Sequence, residues 1–223
     1  MTITTEHRTD SAVRDSVEEE LAWNPLIDAA HLGVAADDGV VTLSGEVPTY
    51  AQRIAAVKTA QRVLGVAAVA DEITVALPGQ APSDTEIASR IDIAFSATAL
   101  VPRDRIRVEV RGGTVILTGE VEWNHQRTAA RRAVERVPGV RLIDSRLTLR
   151  PRASAGDTAE RIRHALVRRA TVDANRITVG VEGTTVTLTG SVSTWDERQA
   201  AGQAAWSSPA VTDVHNDITI RPR

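Results

Sequence analysis

Cysteine is absent from the 223 residues of this chain. Disulfides, thiolate nucleophiles and cysteine-bound zinc are thereby excluded, and no compartment follows, since no such bond was needed. Aromatic residues make up only 3% of the chain, so the place of each one is informative. Lysine is almost missing: of 26 basic residues only Lys58 is lysine. Two readings fit that, a codon bias towards arginine or a preference for bidentate phosphate and carboxylate recognition. No run of 18 apolar residues occurs, so nothing reads as a membrane-spanning helix. The stretch Met1–Arg8 has no apolar h-region and residues 10–20 are acidic, which is the wrong pattern for a secretory signal; the expected setting is cytoplasmic. A net charge of −3 argues against a general nucleic-acid binder, and no nucleic-acid partner is expected.

One short pattern is present three times: Val41-Thr42-Leu43-Ser44-Gly45-Glu46-Val47, Val115-Ile116-Leu117-Thr118-Gly119-Glu120-Val121 and Val186-Thr187-Leu188-Thr189-Gly190-Ser191-Val192. The glycines are separated by 74 and then 71 residues. A nearly constant period means one small unit used three times. The flat net charge hides a gradient between the copies. Residues 1–78 carry 5 basic and 12 acidic side chains, 79–152 carry 13 and 9, and 153–223 carry 8 and 8.

Each copy opens with an apolar stripe at helical spacing: Val13, Val17 and Leu21, then Ile87, Ile91 and Phe95, then Ile162 and Leu166. The expected N-caps are Asp10 or Ser11, Ser83 or Asp84, and Asp157 or Thr158. Two alternating runs follow, joined by Asp38-Gly39, Gly112-Gly113 or Gly183-Thr184, which are signals of a two-residue hairpin. The second run puts Val41, Leu43 and Val47 on one face and Thr42, Ser44 and Glu46 on the other, so one side of the sheet is wet. Gly45, Gly119 and Gly190 fall on the apolar parity and are read as the place where a helix crosses close to the sheet, with a ligand against bare backbone as the alternative. A second helix carries Ala56, Ala60 and Val63, with equivalents Ala130, Val134, Val137 and Ala201, Ala205, Ser208. Gly65 and Gly139 are read as its C′ glycines, and the third copy has Ser208-Pro209-Ala210 instead. A last strand ends each unit, and a helical crossover makes it parallel to its neighbour.

The expected fold class is therefore α+β: three tandem α-β-β-α-β units, each a three-stranded mixed sheet with two helices on one face. Their bounds are 11–76, 84–150 and 156–221, with linkers Pro78-Gly79-Gln80-Ala81-Pro82 and Pro151-Arg152-Ala153-Ser154-Ala155-Gly156.

The order of apolar strand, turn glycine, V-x-L-x-G-x-V, alanine-rich helix, G-V and short strand resembles the BON domain family. The residues that carry the resemblance are Val41, Leu43, Gly45, Val47 with Gly65-Val66; Val115, Leu117, Gly119, Val121 with Gly139-Val140; and Val186, Leu188, Gly190, Val192 with Ala210-Val211, where the last glycine is replaced. The resemblance covers nearly the whole chain. It implies the α-β-β-α-β fold and a non-enzymatic binding role, commonly attachment to anionic phospholipid or envelope components, with a link to stress. It supplies no catalytic residue.

The five histidines (His7, His31, His125, His164 and His215) take non-equivalent places and show no ligand spacing; Asp37-Asp38 and Glu18-Glu19-Glu20 follow no calcium-loop pattern. No metal, cofactor or catalytic residue is expected. The candidates for binding are aromatic and basic. Tyr50 and Trp195 stand at equivalent places where the second helix begins, and Trp123 stands one place earlier in its copy. They either insert at a membrane interface or bind a ring, or they staple the strand–helix corner. Trp206 matches Gln61 and Glu135, which makes it a candidate inter-unit or inter-chain contact. Arg127, Arg131, Arg132 and Arg136 share the second helix of the middle copy, and Arg103, Arg105, Arg107 and Arg111 crowd its first strand. These face an anionic membrane surface, the acidic first unit, another protein or a second copy of the chain, or they are an ordinary solvated surface.

Overall fold

The computed structural model describes residues 9–77, 79–151, 157–168 and 176–221. Of the segments named above, residues 1–8, Pro78 and residues 152–156 lie outside these. The first unit runs α1 (Asp10–Trp23), β1 (Leu32–Asp37), β2 (Val40–Val47), α2 (Tyr50–Arg62) and β3 (Ala68–Val75). The second runs α3 (Asp84–Ser96), β4 (Ile106–Arg111), β5 (Thr114–Val121), α4 (Asn124–Glu135) and β6 (Leu142–Leu149). The third runs α5 (Thr158–Val167), β7 (Ile177–Glu182), β8 (Thr185–Val192), α6 (Trp195–Trp206) and β9 (Asp213–Ile220). Each unit has its own mixed sheet, with the V-x-L-x-G-x-V strand in the centre. That strand is antiparallel to the strand before it and parallel to the one after it.

The core follows from the two periodicities. Val41, Leu43 and Val47 are buried, as are the equivalents Val115, Leu117, Val121 and Val186, Leu188, Val192, while Ser44 and Glu46 on the other face are exposed. The first helices lay Val13, Val17, Leu21 and their equivalents onto that face. The second helices approach it through alanines: Ala56, Ala60, Ala130, Ala201 and Ala205 have no exposed surface. Fully burying a leucine such as Leu117 contributes about 1.5–3 kcal/mol.

The turns behave as their residues require. Asp38 and Gly39 have φ of 44° and 74°, and Gly112 and Gly113 have 56° and 78°, the doubly positive pair of a type I′ hairpin. In the third copy only Gly183 is positive, at 59°, so Thr184 is accommodated by the II′ alternative. Asp84 holds its hairpin from outside, its carboxylate accepting from the N–H groups of Gly112 (2.8 Å) and Gly113 (3.0 Å). Asp10 does the same for Gly39 at 3.3 Å. Those two bonds keep the Asp84 carboxyl below the usual carboxylate range. The cap of α1 is Thr9 rather than Asp10 or Ser11: its side chain accepts from Ala12, which leaves Asp10 free for the turn.

Two glycine readings need correction. Gly45, Gly119 and Gly190 do not mark a helix crossing. Their φ values are 114°, 134° and 126°, and a Cβ there would lie 2.0–2.1 Å from the carbonyl oxygen of His31, Arg105 or Arg176. The close neighbour is thus the backbone entering the first strand of the same unit. Each glycine carbonyl also accepts from a threonine on the last strand, Thr74, Thr148 or Thr219, at 3.1–3.2 Å. Gly65 and Gly139 are not helix C′ residues either. α2 ends with its cap at Val63, and Val66 N–H closes a turn onto the Val63 carbonyl at 3.2 Å. Gly65 and Gly139 sit third in that turn with φ of 100° and 99°, the position of a type II turn that needs glycine. Ala210, without positive φ, takes a different turn.

Candidate functional site

The three second helices meet head to tail. Arg62, at the end of α2, lies 3.8 Å from Asp196 at the start of α6. The guanidinium of Arg127, in the first turn of α4, stacks 4.5 Å over the Trp206 ring at the end of α6. Tyr50, at the start of α2, is within electrostatic range of Arg131 and Glu135 at the end of α4, and burial pushes its phenol up. Two contacts and this longer-range approach arrange the three helices in a ring. Trp206 packs against the joint core of the first two units and against the core of the third.

The corner aromatics do not share a face. Tyr50 is buried and Trp195 half-buried, while Trp123 keeps 37% of its surface exposed. Arg198 lies 5.4 Å over the Trp195 ring. The Trp195 Nε1 is buried and has no acceptor, and the buried Asn216 Oδ1 has no donor. Trp123 occupies the N-cap of α4, where Thr49 and Thr194 cap α2 and α6 through their side chains. Gln126 compensates by accepting from the N–H groups of Glu122 and Trp123.

The arginines divide by partner. On the strand side of the middle unit Arg103 pairs with Asp92 and Arg105 with Glu122, at 3.2 and 2.9 Å, and Arg111 pairs with Glu109. Of the four arginines expected on the strand only Arg107 and Arg111 lie on β4, Arg103 and Arg105 forming a 3-10 turn before it, and three of the four are paired locally. On α4, Arg131 pairs with Glu135 at 3.0 Å. Arg132 and Arg136 are exposed, and Arg127 is half-buried.

Two grooves adjoin the ring. One, of about 930 Å³, runs between the helical face of the second unit and the end of α6, where Trp123, Leu100, Arg90, Arg132 and Arg136 line it with Trp206. The other, of about 640 Å³, lies at the junction of α2, α4 and α6. Its charged lining is Lys58, Arg62, Arg127, Arg131, Arg132 and Arg198 against Glu135 and Asp196.

Arg127 was singled out from sequence, but its counterparts and their partners on the last strand were not. Arg53, Arg127 and Arg198 are the same position in the repeat, and so are Asp71, Ser145 and Asn216. Arg53 Nε donates to Asp71 at 2.9 Å, and Arg198 donates to the carbonyls of Asn216 (2.6 Å) and Ile218 (2.9 Å). The pairing was available from alignment of the copies, since an invariant arginine faces a varying partner. Among the described residues no group of three or more His, Asp or Glu could hold a metal, and no helix is long and apolar enough to cross a membrane.

Three repeated sheet-and-helix units, with a ring of second helices beside basic grooves, define a tandem-repeat α+β protein. The BON domain model matches residues 9–76, 83–151 and 154–222, and the chain belongs to the BON domain family. It is 34% identical over 144 residues to the osmotically-inducible protein Y of Escherichia coli (strain K12), an alignment covering 62% of this chain and 71% of that protein. Among solved structures, the C-terminal domain of CdsD, a structural protein of the type III secretion system of Chlamydia trachomatis, aligns with 99% of this chain and 100% of its own at 13% identity and a TM-score of 0.27. A second CdsD structure aligns with 94% of this chain and 92% of its own at 14% identity and 0.28. Scores this low carry no argument about how the units are arranged.

Proposed function

We propose that this protein is a non-enzymatic, stress-related binding protein that attaches to an anionic phospholipid surface through the helical face of its middle unit. The observation that carries the reading is Trp123. It stands where the other copies have a capping threonine, a replacement that forgoes about 1 kcal/mol of helix capping, and it is exposed beside Leu100, itself 57% exposed. Arg90, Arg132 and Arg136 line the same groove. An exposed indole among arginines matches the boundary between head groups and acyl chains. The link to stress is supported by the osmotic inducibility in the name of its relative, and the binding role by a family resemblance that brings no catalytic residue.

Co-sedimentation with vesicles tests it. Binding at low salt to phosphatidylglycerol vesicles, and not to phosphatidylcholine vesicles, is the expected result. Each arginine near such a surface contributes about 1 kcal/mol, so Arg136→Gln weakens binding roughly fivefold and Trp123→Ala weakens it further. Absence of binding at low salt refutes the reading. A second reading, self-assembly, rests on Trp23 and Leu26, which are 85% and 70% exposed just after one another at the end of α1. Light scattering decides it, a strict monomer at high concentration being the losing outcome. Trp206 is already used within the chain.

A further inference from the structure

We propose that the junction of α2, α4 and α6 is a binding site for one small, multiply charged phosphate-bearing anion. Arg127 differs from its counterparts in the other units. Its counterparts are consumed within their own units, Arg53 by the Asp71 carboxylate and Arg198 by two strand carbonyls. In the middle unit the partner position is Ser145, which is short and uncharged. Arg127 therefore bonds through Nε to Asn124 Oδ1 at 3.2 Å and lies on the Trp206 ring. Its terminal nitrogens have no carboxylate among the described residues. Asp213 acts on it only at longer electrostatic range, and burial, the larger effect, draws its pKa down. A half-buried guanidinium without an anion is costly, and the groove offers a place for one.

Lys58 and Arg132 line the same groove and form no ion pair among the described residues. Arg62 and Arg131 are held by Asp196 and Glu135, which leaves Lys58, Arg127, Arg132 and Arg198 without a carboxylate among the described residues, and of these four Arg198 is turned to strand carbonyls. The third helix also supplies Trp195, which lines the groove and whose Nε1 is enclosed without an acceptor. An indole N–H normally finds a partner when buried. A guanidinium fork with two further free cations lining one groove suits the several acceptor oxygens of a phosphate group better than a single carboxylate. The volume of about 640 Å³ admits a short polyphosphate or the head group of one phospholipid. The site needs all three units, since its donors come from α2, α4 and α6. It adjoins the membrane face at Arg132 and is distinguished from it by Arg127 and Lys58, as that face is by Trp123 and Arg136.

Inorganic tripolyphosphate is the probe, titrated calorimetrically into the full chain at low salt. Saturable binding of one anion per chain is expected. Arg127→Gln and Lys58→Gln should each weaken it by about tenfold, the loss of one charge-assisted contact, and Arg146→Gln, an exposed arginine paired with Asp144, should leave it unchanged. The indole N–H resonance of Trp195, assigned with Trp195→Phe, should move on addition of the anion. That shift is read on the unmutated protein, so it stands even if Arg127→Gln does not fold. Acetate, with its single carboxylate, should compete poorly. Competition by phosphatidylglycerol vesicles makes the natural ligand a head group, and its absence makes the ligand a soluble phosphate. Retained vesicle binding in Arg127→Gln, with loss in Trp123→Ala, separates this site from the membrane face. The proposal is overturned by no saturable binding, by equal weakening in Arg146→Gln, or by a Trp195 resonance that does not move.

Discussion

Replacing Gly119 by alanine tests the central claim about the repeat, that its glycine exists because backbone enters the first strand against it. Two costs combine. At φ of 134° an L-residue sits in a sparsely populated region, which costs of order 1–3 kcal/mol. The new Cβ would also lie 2.1 Å from the Arg105 carbonyl oxygen and 3.4 Å from the Ile106 Cα. Those are backbone atoms locked in the pairing of Ile106 with Gly119, so relief requires displacing β4, at a cost typical of overpacking, about 1–3 kcal/mol. The sum is roughly 2–6 kcal/mol, which is a large part of the stability of a unit this small. Gly112→Ala is the control. It is also at positive φ, 56°, but has nothing within 4 Å of its Cβ, so it carries strain without collision. Urea unfolding, with hydrogen exchange on peptides of β4 and β5 to localise the effect, should rank Gly119→Ala well above Gly112→Ala. Equal losses would refute the argument, because strain alone would then account for both.

Three further outcomes follow from the same structure. Ser83 caps α3, with Glu86 returning a bond to the Ser83 N–H at 2.8 Å; Ser83→Ala should cost about 1 kcal/mol, read from the urea midpoint at unchanged slope. Asp84→Asn should destabilise the second unit at neutral pH. Because the folded carboxyl is held below its unfolded value, that stability is present above the unfolded carboxylate pKa and is lost as pH falls through the folded one, so variant and parent should converge at strongly acid pH; a constant gap would contradict the assignment. Trp206→Ala should loosen the ring of second helices, losing roughly 2 kcal/mol through the Arg127 stack and the half-buried indole. Faster proteolysis between the second and third units checks it, and unchanged cleavage would argue against Trp206 as the joint.

Much of the architecture was legible locally. Val13, Val17 and Leu21 lie on one side of a helix by spacing alone, and the alternation from Val41 to Val47 fixes both the strand and its buried face. Asp38-Gly39 and Gly112-Gly113 encode their turns because few residues other than glycine, asparagine and aspartate reach positive φ cheaply. The glycine at 45, 119 and 190 was legible as exceptional. Its cause was not, since the atoms that crowd it belong to His31, Arg105 and Arg176, brought there by strand register.

By itself the sequence determined three copies of one α-β-β-α-β unit, the inward face of every element, and which positions vary between copies. It contains the substitutions of Asp71 by Ser145 and of capping threonine by Trp123. Only the tertiary structure decided what those variations do: that Ser145 leaves Arg127 to reach Trp206 some eighty residues away, that Tyr50 turns inward while Trp123 stays exposed, and that Arg103, Arg105 and Arg111 at the start and end of the first strand are paired on the spot. The physical reason is one of range. Periodicity and turn chemistry act between residues a few positions apart, whereas the ring of second helices is set by how whole units pack, and no local pattern records that.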